Sequence, residues 1–175
     1  MRGNPTLHST IKRLFALCVV AASLGTIASP VSAHTPSNHL RARKHVKERA
    51  MSQVGKPYSY AQESPRRGFD CSGLLYWTFM DHGDSTIARS SSDQWAMRKR
   101  KGYKRVWHRS RLQVGDLLFF DTGSGRVGHA GMYIGRKRFV HSSPSRNGVK
   151  IDPINDDYWR RTYVGAVRVP SLQGN

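Results

Sequence analysis

The chain has 175 residues, 38% of them hydrophobic and 10% aromatic, enough apolar material for one domain with its own core and too little length for two ordinary ones. Lys and Arg number 29 against 11 Asp and Glu, a formal net charge of +18. Such a field disfavours cationic partners and favours polyanions: nucleic acid, anionic lipid, or the acidic polymers of a bacterial envelope.

Arg2, Lys12 and Arg13 precede an apolar stretch over 14–28 that is short for a membrane span, and Ser29-Pro30-Val31-Ser32-Ala33 follows with small residues. This is the pattern of a signal peptide over 1–33, cut after Ala33. The protein is therefore expected to be exported, periplasmic or secreted, with no transmembrane span in the mature chain. Lipid anchoring at Cys18 is not expected, because Leu17 before it is not small and the apolar run continues beyond it. Export makes nucleic acid a poor partner and the envelope a good one.

Residues 34–39 are polar and read as a short flexible leader. From Leu40, the spacing of Val46, Ala50, Met51 and Val54 suits one amphipathic helix ending before Gly55-Lys56-Pro57. Residues 58–68 are turn-rich. Residues 71–80 are apolar almost all round, as in a buried helix, and His82-Gly83 stops it. A further short helix suits 91–97. Strands are expected over 116–121, 129–135, 138–142, 148–152 and 163–169, with a tight Gly-Arg-Lys turn between the second and third. Helices first and strands second argue for an α+β domain over 40–169, an antiparallel sheet packed on the cysteine helix, with 170–175 as a tail.

Without the signal, Cys71 is the one remaining cysteine. It has no internal disulfide partner, so it is either a small buried hydrophobe or a nucleophile. At the first turn of its helix, unpaired N–H groups and the macrodipole favour a thiolate, and the same N–H groups suit a tetrahedral oxyanion. The polar, tightly turning neighbours Asp70 and Ser72-Gly73 favour the nucleophile. His129 begins one expected strand and His141 lies in the next. A hairpin folded about Arg136 sets them opposite or nearly so, on one face. Two such imidazoles make a base and its orienter. One Cys and two His without CxxC or HxxxH spacing make a poor metal site, and no metal or cofactor is expected. His34, His39, His45, His82 and His108 lie in polar or basic settings and read as solvated surface.

These blocks resemble the NlpC/P60 family of papain-like cysteine peptidases. The resemblance rests on Gly55-Lys56-Pro57-Tyr58, Phe69-Asp70-Cys71-Ser72-Gly73 and Arg89-Ser-Ser-Ser-Asp-Gln94. It continues through 114–120, 128–135 and Phe139-Val140-His141-Ser142-Ser143, so that it covers roughly 40–169. It implies a papain-like fold and thiol hydrolysis of peptidoglycan peptide bonds, with Cys71 as nucleophile, His129 as base and His141 as third polar residue. Tyr58 matches the family tyrosine placed at the oxyanion hole, or is an aromatic lid on the helix. Asp70, Ser72, Arg89, Ser91 and Ser92 fall in blocks that shape the substrate cleft, although Asp70 equally suits a helix cap. The half from Phe139 to Val169 is similar to single-domain murein D,D-endopeptidases of the Gram-negative periplasm, which slightly favours that bond over γ-D-glutamyl–diaminopimelate. After Tyr58 the chain departs from the family's aromatic and two glycines, with Ser59-Tyr60-Ala61-Gln62-Glu63 instead.

Arg98-Lys99-Arg100-Lys101, Lys104-Arg105, Arg109 and Arg111 form a dense cationic block. It reads either as a solvated face or as a surface adhering to anionic envelope polymers. Two other readings stay open: a non-catalytic basic cell-wall-binding protein, and a secreted antibacterial wall-degrading effector.

Overall fold

The computed structural model describes residues 36–80 and 82–174; the expected signal segment, its cleavage point after Ala33, and Cys18 lie outside them. Six strands form one sheet: β3 (Lys104–Val106), β4 (Leu117–Asp121), β5 (Val127–Gly135), β6 (Arg138–Ser143), β7 (Gly148–Pro153) and β8 (Tyr163–Arg168). Their order is β3-β8-β4-β5-β6-β7, and every pairing is antiparallel. A two-stranded ladder, β1 (Glu63–Ser64) with β2 (Gly68–Phe69), leads into helix α2 (Cys71–Met80). Helices α1 (Pro36–Met51), α3 (Ser91–Ala96) and α4 (Asp157–Thr162) complete the α+β domain.

The unbroken run Leu117-Leu-Phe-Phe120 reflects burial on both faces of β4. Leu117 and Phe119 pack with Leu74, Leu75 and Phe79 of α2 and with Met132 and Val140. Leu118 and Phe120 point the other way, to Phe139, Trp159 of α4 and Ala166. Strand parity thus separates two apolar layers and fixes the register, since a one-residue slip would exchange them.

The chain bends between β5 and β6 through Arg136 (φ 52°) and Lys137 (φ 56°). Two positive φ values make the two-residue turn whose twist matches a hairpin. The pairing runs Met132↔Val140 and Tyr133↔Phe139 but then Gly135↔Arg138, so a bulge at Ile134 shifts the register by one. His129 and His141 therefore share a face but sit diagonally, two positions apart, rather than opposite.

Several expectations are corrected. Helix α1 begins at Pro36, so residues expected as an irregular leader are helical, and His39 is buried rather than solvated. Proline suits a helical first turn, where no N–H bond is lost. The tail expected over 170–175 is anchored by buried Leu172. A Cβ on Gly115 (φ +91°) would stand 2.2 Å from Leu172 Cδ1, so only glycine leaves room for it. Strand β3, hidden in the basic block, lies at the sheet edge, where charged side chains discourage further pairing. Helix α4 and the β1–β2 ladder are too short to show a period in sequence.

Candidate active site

Cys71 is the first residue of α2, and the turn before it is held from several sides. Asp70 Oδ1 accepts the Gly73 N–H at 2.6 Å and the Ser72 hydroxyl at 3.0 Å, capping the helix. A Cβ on Gly73 would stand 2.2 Å from the Gln62 carbonyl oxygen, so the Cys-Ser-Gly triplet needs its glycine for close backbone approach. Gln62 in turn accepts the Asp70 N–H at 3.0 Å. In that segment Ala61 adopts φ 57°, a left-handed conformation favoured by glycine, where the family pattern has glycines. From the sheet, Ser142 Oγ donates to the Phe69 carbonyl at 2.6 Å. Gln94 Nε2 donates to the Ser72 carbonyl at 3.0 Å.

Tyr58, Cys71 and His129 line one cleft of about 250 Å³, together with Thr122, Ser143 and Trp159. His141 lies behind this surface, fully buried. His129 Nε2 is 2.9 Å from His141 Nδ1, and His141 Nε2 is 3.2 Å from Asp152 Oδ2. The Trp159 indole stacks on His129 with centroids 5.4 Å apart, and its Nε1–H donates to Asp152 Oδ2 at 3.1 Å. Phe139 stacks on His141 at 4.7 Å. Both histidines thus belong to the layer covered by α4, and Cys71, at the first residue of α2, shares a cleft with His129.

The electrostatics differ from the expectation for a helix terminus. Burial pushes the Cys71 thiol up; the backbone N–H groups of Ala130, Ser72 and Cys71 pull it back, while the Asp70 charge adds to the rise. Desolvation outweighs the N–H groups. Burial, with His141 beside it, lowers His129 to about 3. The resting pair is therefore a thiol and a neutral imidazole. Burial also raises the Tyr58 phenol, with the charges of Cys71 and Asp70 adding to it.

The other residues expected in the cleft are placed elsewhere. Asp70 and Arg89 pair bidentately, at 3.1 Å and 2.8 Å, and Arg89 also donates to Ser72 Oγ and to Glu63. These groups satisfy one another beside α2, so the acid and the arginine are not left bare for a ligand. Ser91 and Ser92 open α3, and Ser92 borders a separate depression with Trp95 and Asp121. Sequence reasoning missed Asp152 and Trp159. The alternation of β7 carried a signal for the first: the register Phe139↔Asp152 and His141↔Lys150 sets Asp152 diagonal to His141 on its face. Among the described residues, no group of three or more His, Cys, Asp or Glu is arranged to hold a metal ion.

The chain is 38% identical to murein DD-endopeptidase MepH of Escherichia coli over 149 residues, 85% of this chain and 52% of that protein. It is 41% identical to murein DD-endopeptidase MepS/murein LD-carboxypeptidase of the same species over 109 residues, 62% of this chain and 53% of that protein. A gamma-DL-glutamyl hydrolase of Bacillus subtilis is 30% identical, over 83% of this chain and 32% of that protein. The chain thus spans about half the length, or less, of these curated relatives. Among solved structures, the peptidoglycan hydrolase RipB of Mycobacterium tuberculosis superposes with a TM-score of 0.62 at 28% identity, covering 79% of this chain and 69% of that one. The NlpC/P60 family model matches residues 55–168, from the turn before Tyr58 to the last strand of the sheet. A span that takes in both the cysteine helix and the histidine hairpin leaves no ambiguity of assignment: the chain belongs to the NlpC/P60 family.

Proposed function

We propose that the protein is an exported cysteine peptidase that hydrolyses peptide bonds of peptidoglycan. The observation that carries this reading is the 2.9 Å contact between His129 Nε2 and His141 Nδ1, on a ring sharing its cleft with Cys71 at a helix N-terminus. His129 removes the Cys71 proton as the sulfur attacks the scissile carbonyl. The developing oxyanion is held by N–H groups at the start of α2, with Tyr58 beside them. His129 then returns the proton to the leaving amine, leaving a thioester. Water, deprotonated by His129, attacks that thioester and releases the new carboxyl group and the thiol. No metal or cofactor enters this sequence.

Murein D,D-endopeptidase activity on cross-links is favoured over γ-D-glutamyl cleavage, in keeping with the higher identity to MepH and MepS than to the gamma-DL-glutamyl hydrolase. Asp70, Ser72 and Arg89 serve this reaction by holding α2, whereas Ser91 and Ser92 open α3 outside the Cys71 cleft. The segment 97–111, with eight cations and no acid, holds the enzyme near anionic envelope polymers. Trp107, 60% exposed with Arg105 stacked 3.0 Å above its ring, stands in the same segment.

Digestion of purified diaminopimelate-type sacculi, followed by mass spectrometry of the soluble fragments, tests the proposal. Cross-linked dimers converted to intact monomers by the wild type, and not by Cys71→Ala, are expected. Stems shortened after D-glutamate would move the assignment to the other bond. Fragments that appear equally with Cys71→Ala would end the thiol mechanism, and absence of any fragment would favour a wall-binding protein.

A further inference from the structure

The tautomers of the two histidines are linked to a single carboxylate. An ionised carboxylate only accepts hydrogen bonds, so the proton between His141 Nε2 and Asp152 Oδ2, 3.2 Å apart, resides on the imidazole. A neutral His141 then has its lone pair on Nδ1, and His129 must donate Nε2–H to it across 2.9 Å. That leaves the His129 lone pair on Nδ1, the nitrogen His141 does not engage, on a ring that lines the cleft with Cys71.

We propose that Asp152 is a positioning residue for catalysis: acting through His141, it sets the tautomer that makes His129 a base, and its charge steadies the imidazolium formed when Cys71 is deprotonated. The inference rests on the reading of Cys71 and His129 as nucleophile and base. Trp159 completes the arrangement. Its N–H fixes the same Asp152 oxygen at 3.1 Å while its ring stacks on His129, so one side chain restrains both ends of the relay. Helix α4, which carries Trp159, is capped by Asp156, whose side chain accepts the Tyr158 N–H at 2.9 Å. Among the described residues, the titratable groups facing the two imidazoles include Cys71 and Tyr58 across the cleft, Asp152 and Lys150 of β7, Tyr158 of α4, and Tyr163 of β8 beyond Phe120. Of these named groups, Asp152 is the carboxylate. The relay is a proton-orientation device, and no proton need travel its length.

The test compares wild type, Asp152→Asn, Asp152→Glu and Cys71→Ala. It uses two readouts: hydrolysis of a purified cross-linked muropeptide dimer, and the pH dependence of Cys71 alkylation by iodoacetamide without substrate. An amide removes the charge and no longer dictates the tautomer of His141. Asp152→Asn is expected to lower kcat about 100-fold or more with KM within about threefold, and to move the alkylation profile to higher pH. Asp152→Glu keeps the charge and recovers at least about a tenth of wild-type kcat. Wild-type kcat and an unmoved alkylation profile in Asp152→Asn overturn the proposal. If that variant does not fold by circular dichroism, the Glu variant decides: activity below the stated recovery in a native fold overturns it, and recovery with a wild-type profile supports it. Activity persisting in Cys71→Ala would instead overturn the reading of the site, so the two failures are told apart.

Discussion

Ser142 donates its hydroxyl to the carbonyl of Phe69 at 2.6 Å, in a buried bond between residues 73 positions apart in the chain. Ser142 adjoins His141, and Phe69 lies two residues before Cys71. This bond is thus a direct tie between the strand carrying His141 and the turn carrying Cys71. Ser142→Ala removes this bond from a carbonyl that still accepts the Ser59 N–H at 3.1 Å, at a cost of about 0.5–1.5 kcal/mol. Because a misplacement of about 1 Å in a reacting pair is worth up to about 10²-fold in rate, activity should fall as well. Urea unfolding and dimer hydrolysis measure both effects. Unchanged values for both would mean that the bond does not hold the site together.

Asp70 meets Arg89 and caps α2 at once, and the two roles separate by substitution. Asp70→Ala removes the cap and one of the two carboxylates that meet Arg89, which keeps Glu63, and should destabilise by about 1–2 kcal/mol. Asp70→Asn keeps an acceptor for the Gly73 N–H and should cost less. Arg89→Ala should not add fully to Asp70→Ala, since both break one network. If these residues act by holding the cysteine helix, KM for the dimer stays near wild type while stability falls. A rise in KM without a loss of stability would return them to substrate binding.

Helix α2 was legible to its last residue because an apolar run bounded by Asp70 and by His82-Gly83 admits few alternatives. The five long strands were legible within one or two residues for the same reason. What escaped was information carried between elements. The shared face of the two histidines was legible, but nothing local marks Ile134 as a bulge, so opposite and diagonal placements were not told apart. Asp152 looks like an ordinary strand-end acid until the β6–β7 register sets it by His141. The thiol shift was misjudged because the sequence shows the helix terminus but not the burial that opposes it. Asp70 and Arg89 were both found by motif, but their mutual pairing depends on the approach of the segment before α3 to the start of α2.

Gly73 offers a sharp steric test. Gly73→Ala puts a methyl group 2.2 Å from the Gln62 carbonyl oxygen, a backbone atom that moves only if the β1–β2 ladder moves. Overpacking of this kind costs about 1–3 kcal/mol, and the shift falls two residues from Cys71. Hydrolysis should drop further than thermal stability alone accounts for, because the displaced turn is the one carrying Cys71. A variant destabilised yet fully active below its melting point would show that the turn tolerates the displacement.

Acid should unfold this protein before it charges the buried His129 ring. Burial lowers His129 to about 3, whereas in the unfolded chain it titrates near its ordinary value of 6.5. The unfolded state therefore binds the proton first. The contribution of the neutral buried ring is complete above about pH 6.5 and is lost as pH falls toward 3, at about 1.4 kcal/mol per pH unit. Melting temperature should decline steeply between pH 6 and pH 4, and His129→Gln, which cannot charge, should show a shallower decline from its own starting value. Since the folded ring stays neutral through this interval, kcat/KM measured at a temperature where the fold persists should not show an acid limb near 6.5. Such a limb, together with equal melting slopes in both proteins, would mean that His129 is solvated in solution and charges as a free imidazole does.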